Sequence, residues 1–391
     1  MMPPMADSSD HSPHIGPLSH LRVLDMSRLH PGAFVTGLLA DFGADVVRVE
    51  QPGSFDPLRF DDAMNVSYNR GKRSVTLDLK HERAPEVLRR LVRGIDVVVE
   101  SARPGSMEAR GTGYEQLSAE RPELVWCSIT GFGHGSPYAD RPAHDVSFLG
   151  YSGMLALMAG DTVPSAPDFI LAVPAGALMA TVGILVALQQ RDRTGHGAMV
   201  DASVVDAASW MLGEHVSRVA AGGTVGWGKH AGRRAYRCAD GRLITLGAAE
   251  PRTWGTLCDL LDRQDLTARL MDADQQALTD ELAAIFATRP AAEWVAEFGP
   301  TAACLGPVHR PEDLLTDPHV LARRDIVPLD DDSGRVVFPN PLRFVPGPGE
   351  ESRGYAATAP PSEPGAATDD VLAAAGYEAG EIAALRDAGA I

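Results

Sequence analysis

LRVLDMSRLHPGAFVTGLLADFGADVVRVE, residues 21–50, contains two short β-branched runs separated by a segment with apolar residues at helical spacing. The runs predict strands and the middle segment predicts a helix, with Pro31 in its first turn and Gly43 just past its end. A strand, a helix and a second strand in this order form a right-handed crossover between parallel strands. The stretch therefore predicts the start of a parallel α/β sheet.

The same alternation continues through the first 130 residues. Further β-branched runs at 74–79, 96–101 and 124–130 predict three more strands, with the helical pattern of HERAPEVLRRLVRG among them. This pattern predicts an α/β fold with a Rossmann-like large domain and a mostly parallel sheet. No GxGxxG follows the first strand, and the glycine-rich TGFGHGS at 130–136 is more typical of a turn than of a phosphate loop.

Composition and turn signals divide the chain into four parts. We predict a disordered tail at 1–16, the large domain at 17–225, a smaller α+β domain at 235–330 and a C-terminal segment at 331–391. The smaller domain opens with a hairpin that turns at Asp240-Gly241. The C-terminal segment ends in two short helices, the first capped by Thr368.

Charge and cysteine content exclude several classes of partner and site. The formal net charge of −17 argues against nucleic acid or an anionic membrane as the main partner, although a local basic pocket can still bind an anionic small molecule. The four cysteines stand apart, with no CxxC pair and no zinc spacing, so we expect neither a metal site nor disulfides. With no secretory signal pattern at the start, we expect a cytoplasmic protein.

FILAVPAGALMATVGILVAL, residues 169–188, carries no charge and is long enough to cross a bilayer. Pro174 and Gly176 interrupt it early, and a helix buried inside a large domain has the same composition. We therefore predict a buried helix and no membrane partner. The tryptophans Trp126, Trp210 and Trp254 are predicted to lie in the core.

A series of motifs follows in one order along the chain. It comprises residues 21–53, NRGKRSVTLDLK at 69–80, VVVESARPG at 97–105, SITGFGHGSPYADRPAHD at 128–145, RDRTGHGAMVDASVVDA at 191–207, ADGRLITLGAAEP at 239–251 and the closing 369–391. From about residue 17 to its C-terminus, the chain resembles the class III (CaiB/BaiF) CoA-transferase family. The AHD and GAAEP motifs are most similar to the α-methylacyl-CoA racemase branch.

The resemblance implies an architecture and a substrate class. It implies that the C-terminal segment returns to the large domain and that two chains interlock as a homodimer. It also implies that the substrate is a coenzyme A thioester, with no prosthetic group. The expected CoA contacts are Leu29, His30, Leu77, Lys80, Arg103 and Arg110. Without the resemblance, the charged members of this set would be interpreted as solvated surface residues.

The resemblance also implies catalytic residues. His144 is expected to be the base that removes the α-proton, and Glu250, from the smaller domain, is expected to orient it. Asp145, the second residue of the HD pair, is the third candidate catalytic residue. An α-proton of a thioester is weakly acidic, so a positioned base and a stabilised enolate are both needed. Without the resemblance, an HD pair is more often a helix cap, and Glu250-Pro251 would be interpreted as an ordinary helix start.

Three positions depart from the family pattern. The family's aspartate before the buried helix should stand at Ala172 or Val173, and neither can carry a proton or form an anhydride. Asp168 is the nearest carboxylate upstream. Gln51 and Ala109 replace basic residues expected near the CoA nucleotide.

These residues favour proton transfer at the α-carbon of an acyl-CoA, of the racemase, epimerase or isomerase type. The first alternative is CoA transfer between carboxylic acids, which requires a carboxylate nucleophile. The second alternative is a scaffold adapted to a substrate without CoA, for a cyclisation or rearrangement in secondary metabolism, or to binding alone.

Overall fold

The computed structural model describes residues 16–53, 56–159, 167–225, 230–323 and 326–391. The predicted disordered tail lies outside these residues except for Gly16. The described residues form two compact units: the first contains 16–159, 167–212 and 322–391, and the second contains 213–321. The second unit thus begins at 213, before the predicted end of the large domain at 225, and ends nine residues before the predicted boundary at 330.

Strands and helices alternate along the first unit, and the elements of both units are numbered together in chain order. The strands are β1 Arg22–Met26, β2 Asp45–Glu50, β3 Arg73–Thr76, β4 Val97–Glu100, β5 Val125–Thr130, β6 Met199–Ser203, β7 Arg233–Arg237, β8 Leu243–Gly247, β9 Leu305–Pro307, β10 Val327–Pro328, β11 Val336–Val337, β12 Arg343–Phe344 and β13 Arg353–Gly354. The α-helices are α1 His30–Asp41, α2 Asp62–Asn69, α3 Ala84–Val92, α4 Tyr114–Ser118, α5 Asp145–Ser152, α6 Met154–Ala159, α7 Ala172–Thr194, α8 Val204–Trp210, α9 Gly213–Ala220, α10 Pro251–Leu260, α11 Gln275–Phe286, α12 Ala291–Phe298, α13 Pro318–Arg323, α14 Thr368–Ala374 and α15 Ala379–Asp387. Short 3₁₀-helices occupy Pro57–Phe60, Glu108–Arg110, Gln264–Arg269 and Pro311–Leu315.

The central sheet of the first unit has six parallel strands in the order β3-β2-β1-β4-β5-β6. All five predicted strands are present, and β6 is an addition that the sequence patterns did not predict. The strand order reverses between β1 and β4. In open α/β sheets, ligands bind at the carboxyl ends of the strands where the order reverses.

Alternate residues of the strands point to opposite faces, so the sheet has one core on each side. Val23 packs with Leu39 of α1 and Ile184 of α7. Leu24 packs on the other face with Leu88 of α3 and with Leu385 of α15. The predicted cap residue Thr368 is instead the first residue of α14, and its hydroxyl accepts a hydrogen bond from the Thr76 backbone N–H at 3.0 Å.

Helix α7 contains most of the apolar stretch at 169–188. Its inner face is built of small residues, and a Cβ at Gly176 or Gly183 would lie within 3 Å of Val204 or Val200. Its outer face exposes Leu178, Val182, Leu185 and Val186. Among the described residues α7 is the single helix long and apolar enough to span a membrane, and 56% of that apolar window is buried, as in the core helix of a soluble protein.

The second unit is built on the antiparallel sheet β7-β8-β9. The predicted hairpin is formed by β7 and β8, with Gly241 at its turn in a positive-φ conformation of 77°. Its core includes Trp254 and Phe286 from helices that pack together with the sheet.

One of the three tryptophans predicted to be buried is not. Trp126 and Trp254 are 1% exposed, whereas Trp210 is 70% exposed at the end of α8. The prediction for Trp210 was wrong because an apolar side chain suits a core and an association surface equally well.

A buried ionic network lies at the carboxyl end of β1. Asp25, fully buried, accepts hydrogen bonds from Lys72 Nζ at 3.2 Å and Thr36 Oγ1 at 2.6 Å, and Arg48 Nη1 lies 3.9 Å away. Burial raises the pKa of Asp25, but the charges of Lys72 and Arg48 outweigh this and hold the pKa below its usual value. The network joins β1, β2, α1 and the residue before β3 into one rigid corner.

Candidate functional site

A cavity of about 310 Å³ lies at the carboxyl ends of β1, β2 and β4, where the strand order reverses. Its lining includes four of the six predicted CoA contacts, namely Leu77, Lys80, Arg103 and Arg110. These four come from two segments, 77–80 after β3 and 103–110 after β4, and the parallel sheet brings the two segments together. Leu29 and His30 lie at the start of α1 and are not among the described residues that line this cavity.

The cavity is rich in cations without acidic partners. Lys80, Arg103 and Arg110 are exposed, and none of them forms an ion pair with a carboxylate in the described part of the chain. By contrast, Glu50 of the same cavity is neutralised by Arg59, whose Nε donates to it at 2.6 Å. The positive charge therefore remains available to an anionic ligand, on a chain with an overall net charge of −17.

Two further residues of this cavity were missed by the sequence patterns. Arg28 follows β1 and Ser101 follows β4, and the Arg28 backbone N–H donates to Ser101 Oγ at 2.9 Å. Their positions directly after two neighbouring strands were the signal that could have identified them. Gln51, where the family pattern has a basic residue, also lines the cavity.

His144 is the N-cap residue of α5 and is exposed. Its backbone carbonyl accepts hydrogen bonds from the Ser147 and Phe148 N–H groups, at 2.8 and 3.1 Å. No described residue hydrogen bonds to its imidazole.

Asp145 fixes the start of the long helix α7. Its Oδ2 accepts from the Leu171 N–H at 3.0 Å, and its Oδ1 accepts from the Val173 N–H at 2.8 Å. A carboxylate in this position satisfies amides that have no partner within the helix and is favoured by the helix dipole. Asp145 therefore has a structural role, and a catalytic role for it stays a prediction.

Where the family pattern has an aspartate before the long helix, the structure has buried apolar side chains. Ala172 is fully buried and Val173 is 7% exposed, both in a cluster with Phe132 and Leu149. Neither side chain can replace the family carboxylate. Asp168 is exposed and shares an open cleft of about 330 Å³ with Asp145.

Glu250 belongs to the second unit. It is exposed, precedes α10, and its backbone N–H donates to Thr253 Oγ1 at 3.3 Å. This geometry matches the simple helix start, and the orientation of His144 by Glu250 stays a prediction. Within the described ranges, no group of three or more His, Cys, Asp or Glu side chains is arranged to hold a metal ion.

Comparisons with known proteins agree on one family. Residues 18–362 match the family model described as CoA-transferase family III. The chain is 34% identical over 340 residues to the alpha-methylacyl-CoA racemase of Homo sapiens, covering 84% of this chain and 86% of that protein. It is 28% identical over 355 residues to the succinyl-CoA:glutarate CoA-transferase of Mus musculus, covering 83% and 80%. The crystal structure of a CAIB/BAIF family protein from Brucella suis superposes with a TM-score of 0.78 at 28% identity, covering 92% of this chain and all of that one.

The hydrogen bonds of Asp145 predict a measurable contribution to stability. Asp145→Ala should lower the free energy of unfolding by about 1–2 kcal/mol, because two amides at the start of α7 lose their acceptor. Chemical denaturation followed by circular dichroism measures this loss. The matched control is Asp168→Ala, an exposed residue of the same cleft, which should change stability by less than about 0.5 kcal/mol. Equal effects of the two substitutions would contradict the capping role.

Proposed function

The chain belongs to CoA-transferase family III, and from this premise we propose that it transfers a proton at the α-carbon of an acyl-CoA thioester. It is an enzyme whose relatives include both a racemase and CoA-transferases. The observation that carries the proposal is the start of α7, where Ala172 and Val173 stand in place of the family carboxylate while His144 is retained nearby. A reaction that needs a base is therefore still possible, whereas a reaction that needs a carboxylate nucleophile at the start of this helix is not.

The cavity at the strand ends supports a CoA substrate. Lys80, Arg103 and Arg110, which have no ion-pair partner among the described residues, offer positive charge to the phosphate groups of CoA. Charged groups that meet phosphates form stronger hydrogen bonds than neutral pairs do. Gln51 in place of a basic residue reduces the electrostatic part of this attraction without removing it.

His144 suits the role of base. A neutral imidazole accepts a proton near neutral pH, and an exposed ring to which no described residue hydrogen bonds is free to approach the α-carbon. The carbanion formed is an enolate, whose oxygen requires hydrogen-bond donors. We propose that Glu250 of the second unit orients the imidazole, as the resemblance to the racemase branch implies.

CoA transfer between carboxylic acids is the second candidate. It needs a carboxylate that attacks the thioester carbonyl and forms a mixed anhydride. Asp145 is already held by two backbone amides, so Asp168 in the open cleft is the residue that would have to act. An acyl-enzyme trapped by hydroxylamine on Asp168 would favour this second function.

The outer face of α7 supports a homodimer, interlocked as the resemblance implies. Leu178, Val182, Leu185 and Val186 recur at helical spacing on one face and are 43–60% exposed. An apolar face of this kind on a soluble protein marks an association surface.

Disrupting that face should separate the two chains. Val182→Asp combined with Val186→Asp should convert the dimer to monomer in sedimentation velocity, because buried unpaired carboxylates oppose association. Arg89→Asp, at an exposed position of α3 on the opposite face of the sheet, is the control and should leave the dimer intact. A wild-type protein that sediments as a monomer would refute the proposal.

The cationic cavity predicts the affinity for CoA. Lys80→Ala combined with Arg103→Ala should weaken CoA binding by about tenfold or more, which corresponds to roughly 1.4 kcal/mol or more. Isothermal titration calorimetry with free CoA measures this change. Arg89→Ala, an exposed arginine of α3 outside the cavity, should have no effect. Absence of CoA binding by the wild-type protein would favour a substrate without CoA.

Loss of His144 tests the proposed reaction directly. His144→Ala should reduce by about 100-fold or more the rate at which at least one enantiomer of a 2-methylacyl-CoA exchanges its α-proton in deuterated water, because general-base catalysis is removed. Mass spectrometry of the recovered thioester gives the rate. Unchanged exchange of both enantiomers would exclude His144 as the base.

A further inference from the structure

The turn between β1 and α1 holds a strained residue directly before a histidine. Leu29 has φ 61° and ψ −163°, a conformation that a residue with a Cβ rarely adopts. Backbone strain of this kind persists only where the surroundings enforce it, and it concentrates at functional sites. The residue that the turn presents is His30, the first residue of α1.

Polar residues of β2 and of the loops after β2 and β4 hold the strained turn in place. The Leu29 N–H donates to Asp56 Oδ2 at 3.1 Å, and the same oxygen lies 2.9 Å from Arg48 Nη2. Asp56 and Arg48 are 6% and 2% exposed, so this contact is shielded from water. On the other side, Ser101 Oγ contacts both the N–H and the carbonyl of Arg28. The backbone before His30 is therefore clamped from two directions.

His30 has the properties of an available acid–base group. Its ring is half-buried and packs edge-on against Tyr68, with the ring centroids 5.3 Å apart. In the described part of the chain, no residue hydrogen bonds to the imidazole. Burial lowers the pKa of His30, and the negative charges of Asp56 and Asp145 act in the opposite direction. The two carboxylates therefore favour the protonated imidazole, which burial alone would disfavour.

The packing of α1 against α7 locates His30, the first residue of α1, relative to the rest of the site. Asp145 binds the Leu171 and Val173 N–H groups, at the helix start where the family carboxylate is absent. His144 directly precedes Asp145, and α1 packs against α7 in the same core. Because α1 follows β1 and α7 leads into β6 of the same parallel sheet, both helices begin at the carboxyl edge of that sheet. His30 and His144 are therefore brought to this edge from different parts of the chain.

We propose that His30 is the second acid–base group of this site and supplies the proton that an aspartate at 172 or 173 would supply. This inference rests on the proposed function. In one direction, His144 removes the α-proton and the C–H electron pair forms the enolate. Protonated His30 then gives its proton to the opposite face of the α-carbon, and the enolate electron pair forms the new C–H bond. His144 ends protonated and His30 neutral, so the reverse reaction exchanges their roles.

A two-histidine site makes a prediction that depends on stereochemistry. Each enantiomer of a 2-methylacyl-CoA presents its α-proton to a different histidine. His30→Gln should therefore abolish deuterium exchange from one enantiomer and keep it for the other, and His144→Gln should show the mirror pattern. Both variants should lose interconversion of the enantiomers by at least 100-fold. A merely structural defect would slow both enantiomers alike.

The measurement incubates each enantiomer separately with the full-length protein in deuterated water and follows deuterium content and configuration together. Asp168→Asn is the control for the competing carboxylate and should behave as the wild type. Thermal melting and the far-UV circular dichroism spectrum of each variant verify that the protein is folded.

The outcomes separate the two proposals. If the wild-type protein exchanges neither enantiomer, the proposed function fails and the inference falls with it. Exchange by the wild type with retention only would overturn the inference alone, as would a His30→Gln variant that interconverts enantiomers normally. Loss of interconversion in Asp168→Asn would likewise overturn it and would assign the second proton to Asp168.

Discussion

The buried carboxylate of Asp25 is the constraint on which the ligand-binding edge of the sheet depends. It has no exposed surface and lies against Lys72, with Arg48 a little farther away, so its charge is compensated inside the protein. A buried pair of this kind adds little net stability, but the loss of one partner leaves an uncompensated charge and is strongly destabilising. The corner where β1, β2 and α1 meet is therefore rigid before any ligand arrives.

Arg48 extends this constraint to the candidate site. One of its nitrogens approaches Asp25, and another pairs with Asp56, which in turn holds the N–H of Leu29. A continuous series of short polar contacts thus connects the interior of the sheet to the turn at its rim. Networks of this kind are more rigid than their single bonds because each member is oriented by the next.

Most of the central sheet could be predicted from the sequence, because strands buried on both faces are nearly continuous runs of β-branched residues. Strand β6, Met199–Ser203, was not predicted because it follows a glycine-rich turn and contains an aspartate. The exposure of Trp210 and the division at Gly213 could not be predicted, since both depend on which surfaces meet in three dimensions.

The candidate site also has features that could be predicted from the sequence and features that could not. Four of the six residues that the family resemblance predicts to contact CoA line one cavity, because each follows a strand of a parallel sheet and the carboxyl ends of such strands share one edge. The capping of α7 by Asp145 joins positions 26 and 28 residues apart, and the influence of Asp145 on His30 spans more than 100 residues. Contacts of this range leave no periodic signal in a single sequence.

The return of the C-terminal segment to the first unit has a consequence for synthesis on the ribosome. Helices α14 and α15 complete the core that contains Leu24 and Leu88, yet they emerge after the whole second unit. Until they do, one face of the parallel sheet lacks part of its cover, and exposed apolar surface of this kind favours aggregation. The second unit is contiguous along the chain and can fold while the first waits. A chain that ends before α14 therefore leaves this apolar surface without its cover permanently, although only the last two helices are missing.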